Sequence, residues 1–154
     1  MHHYTECGLD NVWLSNGYRT KQTGYGAAVA IEDADGLHSA LAASLVQKRG
    51  RLTGKEFRFL RLVLNLSQNG AAKLQGVQEQ SVSLWERTGK VPKANDTLLR
   101  MLAQEKVVGN FSVTDLIDRI NTVERLVNQQ IVASERGRKW TTRARTARAE
   151  IETV

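Results

Sequence analysis

The sequence predicts a mainly α protein with a small amino-terminal α+β region. Three observations predict it. Between Thr53 and Gln104, apolar residues recur at helical spacing in four successive segments. Two of those segments are short and meet at Gly76, where a residue without Cβ can take positive φ and turn the chain sharply. Before Asp33, β-branched and aromatic residues instead fall in short runs, broken by Ser15-Asn16-Gly17 and Gly24-Tyr25-Gly26.

Residues 1–50 read as a small domain of short antiparallel strands and one helix. Tyr4, Val12-Trp13-Leu14 and Ala27 to Ile31 are the strand candidates. Met1-His2-His3 could chelate Cu(II) or Ni(II) through a free terminus. The plainer reading is a frayed terminus with two solvated histidines, and no metal site is expected. Asp33 to Lys48 reads as a helix, with Leu37, Leu41 and Leu45 on one face and His38 on the surface or at the cap. It is expected to cover one side of the strands, or to offer a partner-binding or dimer face. Lys48-Arg49-Gly50-Arg51 then reads as a short, flexible, basic link.

Residues 51–109 read as a four-helix domain. Thr53-Gly54-Lys55-Glu56 is a capping box, in which hydroxyl and carboxylate satisfy two backbone donors. The helix that follows turns Phe57, Leu60 and Leu64 inward, with Lys55, Arg58 and Arg61 expected mostly outside. Ser67 can cap the next helix, whose buried side carries Ala71, Leu74 and Val77. After Gly76, a helix from Gln78 to Arg87 places Val82 and Trp85 inward. Its outer face holds Glu79, Gln80, Ser83, Leu84 and Arg87. Two short helices with a glycine turn form the pattern of a helix-turn-helix. Lys90-Val91-Pro92-Lys93 is a loop, and Asn95 or Asp96 can cap the last helix.

Residues 110–134 read as a long amphipathic helix. It opens at Ser112-Val113-Thr114-Asp115 and carries Leu116, Ile117, Ile120, Val123, Val127 and Ile131 in one stripe. The stripe could pack at home or form a dimer seam. Residues 135–154 form a basic tail, with Arg136, Arg138, Lys139, Arg143, Arg145 and Arg148 around Trp140. Such an arm can follow phosphates or enter a minor groove; it can equally be a solvated helix or a disordered tail.

The totals agree with a folded chain that meets a polyanion. Of 154 residues, 41% are hydrophobic and 25% charged, with a formal charge of +6. Residues 51–110 carry ten Lys/Arg against five Asp/Glu, so most of the excess charge lies in the four-helix region. One cysteine excludes an internal disulfide and a cysteine zinc cluster. With no signal-peptide pattern and no apolar run long enough to span a bilayer, the expected location is the cytoplasm.

The run Ser67-Gln68…Leu74…Gly76-Val77…Val82-Ser83…Trp85-Glu86-Arg87 resembles the helix-turn-helix of lambda-repressor-like (XRE) regulators. Upstream, Leu52-Thr53-Gly54-Lys55-Glu56-Phe57-Arg58-Phe59-Leu60-Arg61 is similar to the entry of this domain in MqsA/YgiT-type regulators and antitoxins. The segment from Tyr4 through Asp10-Asn11-Val12-Trp13-Leu14 to Tyr18 resembles the amino-terminal part of some of them. Other members carry paired Cys-x-x-Cys zinc ligands there, whereas Cys7 stands alone.

The resemblance implies that Gln80 reads a base, since its amide can bond adenine bidentately. It implies contacts to base edges or phosphates from Ser81 and Ser83. Gln68 would contact phosphate at a helix start. Arg87 would contact phosphate or pair with a carboxylate. Leu84 stands where many relatives carry a basic or amide residue, and offers apolar contact, for example to a thymine methyl. Arg58, Arg61, Lys90 and Lys93 are further phosphate candidates. Glu86, behind Trp85, reads as structural.

The expected function is sequence-specific binding of double-stranded DNA by a dimeric repressor on a palindromic operator, its own promoter included. The alternative is an antitoxin that masks a cognate toxin and represses its operon. No enzyme activity and no cofactor are expected. The chain holds no nucleophile–base motif, phosphate-binding glycine loop or metal cluster.

Overall fold

The computed structural model describes residues 1–109, 115 and 128–146. Among them are five helices and three two-stranded antiparallel sheets, a mixed α+β architecture with more strand than the sequence led us to expect. The chain divides into two compact units, Met1–Ile117 and Asp118–Val154.

The first unit begins with β1 (His2–His3) paired to β2 (Trp13–Leu14). The terminus is therefore not frayed. The His3 ring stacks on Trp13 at 4.1 Å, and its Nε2 lies 2.7 Å from the Asp10 carbonyl oxygen. Tyr4, Leu9, Val12 and Leu14 are buried and join the main core. Strand β3 (Tyr18–Thr23) pairs with β4 (Gly26–Ile31) across the turn at Gly24-Tyr25. β3 escaped the sequence reading because Tyr18 alone of its six residues is even half-buried, so no alternation marks it.

Helix α1 (Ala34–Val46) is capped by Asp33, whose carboxylate accepts from the Gly36 N–H. It packs against the helices that follow rather than covering the β3–β4 hairpin. Ala42 and Leu45 are its buried residues. His38 is half-buried. Its Nε2 lies 2.9 Å from the Tyr4 hydroxyl, and Phe59 meets the ring edge-on. Burial pushes the Tyr4 hydroxyl pKa upward, helped by Cys7 and Glu6.

Helix α2 (Gly54–Val63) carries Phe57 and Leu60 into the core, and Leu64, which caps its end, joins them with no exposure. Helices α3 (Gln68–Gln75), α4 (Glu79–Thr88) and α5 (Lys93–Val108) close around them with Ala71, Val82, Trp85, Leu99 and Ala103. Residues 1–50 and 51–109, read as separate domains, thus share one core. The capping box at Thr53 and Glu56 is formed as expected.

Buried polar contacts hold the segment before α2. Glu56 is 2% exposed and accepts from the Lys48 Nζ at 2.6 Å and the Thr53 N–H at 2.8 Å. Burial works against its charge, but these donors outweigh it and hold the carboxyl below its ordinary range. Asp96 does not cap α5. Its carboxylate accepts the Leu52 N–H at 2.8 Å and pairs with Arg100 at 2.7 Å. Arg100 in turn donates to the carbonyls of Lys48 and Gly50. Lys48 to Arg51, expected to be a flexible link, is therefore pinned to α5. The cause is a buried carboxylate that sequence spacing mistook for a cap. Asn95, the other cap candidate, exchanges hydrogen bonds with Gln75 of α3.

The second unit holds a hairpin of β5 (Gln129–Arg136) and β6 (Lys139–Thr146). This corrects two expectations. Residues 129–134, expected to lie in the amphipathic helix, are strand, and residues 135–146 are neither a helix nor a structureless tail. Ile131, Val132, Thr141 and Thr142 are β-branched types that favour strand. Gly137 and Arg138 both have positive φ, 58° and 63°, as a two-residue type I′ turn requires. The remaining stripe residues from Leu116 to Val127, with any dimer seam there, lie outside the described residues, as does Arg148. No helix among the described residues is long and apolar enough to cross a membrane.

Candidate nucleic-acid interface

The stretch from Ser67 to Gly89 is built by two caps and a turn. The Ser67 hydroxyl accepts the Gly70 N–H at 2.9 Å and starts α3. Gly76 sits at φ 68°, with its N–H on Lys73 and the Val77 N–H on Ala72 at 3.0 Å. That pair of bonds is a Schellman motif, which satisfies the last carbonyls of α3 and redirects the chain. Gln78 precedes α4 without a side-chain cap, and Gly89 ends it at φ 73°.

The inner side of α4 is fixed in three ways. Val82 has no exposure, and Trp85 meets Phe57 edge-on with ring centres 5.9 Å apart. Glu86 and Arg61 form a bidentate pair, at 3.0 Å and 2.9 Å, with both side chains more than nine-tenths buried. Arg61 also donates to the Leu66 carbonyl at 2.9 Å. Arg61 therefore cannot serve as a phosphate contact, contrary to the sequence reading. It lies on the same side of α2 as Phe57 and Leu60, and only the third dimension supplies its carboxylate. Glu86 is structural, as expected. Gly54 brings the α2 start against the α4 end: a Cβ there would lie 2.1 Å from the Glu86 carbonyl oxygen.

What α4 turns outward is one face. Gln80, Ser83, Leu84 and Arg87 fall at i, i+3, i+4 and i+7, so they line one side of a helix with 3.6 residues per turn. Gln80 and Arg87 are exposed, Ser83 is half-buried and Leu84 is 48% exposed. The Arg87 guanidinium makes no ion pair or hydrogen bond among the described residues. Ser81 is half-buried and stands about 100° around the helix from Gln80, so it does not share that face. Gln68, half-buried, is the first residue of α3.

Other candidates are dispersed. Lys90 and Lys93 are exposed in the loop after α4 and the first turn of α5. Arg58 is exposed, but its guanidinium reaches the amino-terminal segment, 3.8 Å from where a Gly8 Cβ would stand. Lys55 beside it pairs with Asp10 at 3.0 Å. Sequence reasoning missed Asn69, whose amide reaches Glu79 at 3.4 Å and links the starts of α3 and α4. It also missed exposed Lys73 on α3. The signal for both was their place one residue beyond Gln68 and one turn further on.

Chemically, the α4 face offers an amide, a hydroxyl, an apolar side chain and a guanidinium. No cluster of His, Cys, Asp and Glu that could hold a metal ion occurs among the described residues. Neither family models, curated proteins nor solved structures gave a match to this chain.

Proposed function

We propose that α3, the Gly76 turn and α4 act as a helix-turn-helix, and that the protein is a sequence-specific DNA-binding regulator. One observation carries the reading. α4 is clamped from behind by Val82, Trp85 and the Arg61–Glu86 pair, while Gln80, Ser83, Leu84 and Arg87 stand together on its open side. A rigid helix with one polar face is what readout of a major groove requires. Gln80 is the base reader, through its amide. Arg87, Lys90 and Lys93 supply positive charge for phosphates, which position but do not specify. The protein acts as a repressor that occludes a promoter. As a dimer it would set two such helices about 34 Å apart, one helical turn of a palindromic operator.

Selection of bound duplexes from a random DNA pool tests this directly. An enriched palindromic motif, recognised less well after Gln80→Ala, is the expected result. A pool that stays unenriched while binding persists would leave only a nonspecific polyanion binder.

A further inference from the structure

The β5–β6 hairpin sorts its side chains by register. Arg136 stands opposite Lys139, Val132 opposite Arg143 and Gln130 opposite Arg145. Residues directly opposite share a face, and the face alternates along each strand. Arg136, Lys139, Arg143 and Arg145 therefore lie on one face, with the hydroxyls of Ser134 and Thr141 between them. Ile131, Ala133, Ala144 and Trp140 lie on the other. The four cations are exposed, and none forms an ion pair among the described residues. Glu135 is the hairpin's one carboxylate; it sits on the opposite face and accepts the Arg138 N–H at 3.2 Å.

We propose that this hairpin is a second DNA-binding element, which lays its basic face in the major groove of duplex DNA and contacts phosphates on the groove walls. The proposal deepens the DNA reading above and rests on it. A groove about 12 Å wide admits a two-stranded ribbon. Arg143 and Arg145 are two residues apart on one strand, about 6.7 Å, and so can neutralise separate phosphates. The absence of a carboxylate from that face removes the repulsion a mixed-charge surface would offer. Duplex RNA fits less well, because its major groove is too deep and narrow for side chains to read. An anionic lipid surface would take up the opposite face, with Ile131 and Trp140 inserted, but the Glu135 carboxylate stands opposite Trp140 on that face and resists entry into an apolar phase.

Titrations of the full chain test the proposal, with short DNA duplexes of two unrelated sequences, a duplex RNA of equal length and phosphatidylserine vesicles as probes. Losing two phosphate contacts should lower the salt slope of DNA binding by about 1.8 in the R143Q/R145Q variant. Between about 50 and 200 mM salt, parent affinity should then fall about twelve-fold more than that of the variant. The R143K/R145K variant, which keeps the charge, should keep the parent slope. An unchanged slope in R143Q/R145Q overturns the proposal, as does tighter parent binding to the RNA or the vesicles. A parent that binds no duplex removes the whole DNA reading. If Gln80→Ala loses selectivity while R143Q/R145Q matches the parent, the ribbon alone is removed.

Discussion

Arg61 of α2 and Glu86 of α4 form a two-point ion pair, with contacts of 2.9 and 3.0 Å, behind the helix that carries Gln80. Both side chains are withdrawn from water, so neither charge tolerates the loss of the other. Glu86→Ala should destabilise the protein by about 3–5 kcal/mol, because it leaves the guanidinium buried and uncompensated. Replacing both residues by leucine should cost much less. Urea denaturation of the single and double variants separates the outcomes; equal losses would mean that the pair does not act as a unit.

Gly54 should refuse a side chain. A Cβ would stand 2.1 Å from the Glu86 carbonyl oxygen and 3.0 Å from that of Trp85, and both are backbone atoms. Gly54→Ala should lower stability by about 1–3 kcal/mol or more, despite alanine's better helix propensity. Gly24→Ala, with open space around it and no positive φ, is the matched control and should be nearly neutral. Thermal melts of the two variants decide.

Glu56 should shape the acid limb of stability. Burial opposes its charge, but Lys48 and Thr53 hold the folded carboxyl below its ordinary value of 4.5. Its contribution is present above about pH 4.5 and is lost as pH falls through the lower folded pKa. Glu56→Gln should therefore lower stability at neutral pH and flatten the decline below about pH 4.5. A variant with the parent's full acid dependence would assign that limb to other carboxylates.

On the α4 face, Gln80→Ala should weaken binding to a selected operator by about 1–3 kcal/mol and relax selectivity at one base position. Ser81→Ala should do far less, because Ser81 is turned off that face. Arg87→Gln should weaken all duplexes alike and reduce the salt slope by about 0.9. Anisotropy titrations on the selected site and on a scrambled one check all three.

The segments where one rule acted alone were legible in advance. The Thr53–Glu56 box, the Ser67 cap and the Gly76 turn depend on neighbours within a few residues, so spacing revealed them. Val82 and Trp85 followed from periodicity. Arg61 and Asp96 were misread because their partners lie 25 and 44 residues away, and a charged residue on a helix looks solvated until a buried counter-charge is known. The β5–β6 hairpin was hidden by a coincidence of periods. Val123, Val127 and Ile131 continue a helical stripe, while Ile131-Val132 and the threonines of β6 equally suit a strand. The turn itself was a weak signal: Gly137 is a turn former, but Gly-Arg is not a favoured hairpin pair and charged residues flank it.

The bond from the Leu52 N–H to the Asp96 carboxylate spans 44 residues and encloses the whole of α2, α3 and α4. It therefore sets an order of events on the ribosome. A nascent chain that has emerged only through Gly89 contains every helix of the candidate reader, yet lacks the group that closes the loop at Leu52. The Leu99 and Ala103 surface that completes the core also arrives later. Synthesis must pass Arg100 before Lys48, Gly50 and Leu52 acquire their partners. Closure of the core around α4 should consequently come late in translation, and not keep step with the emergence of α4.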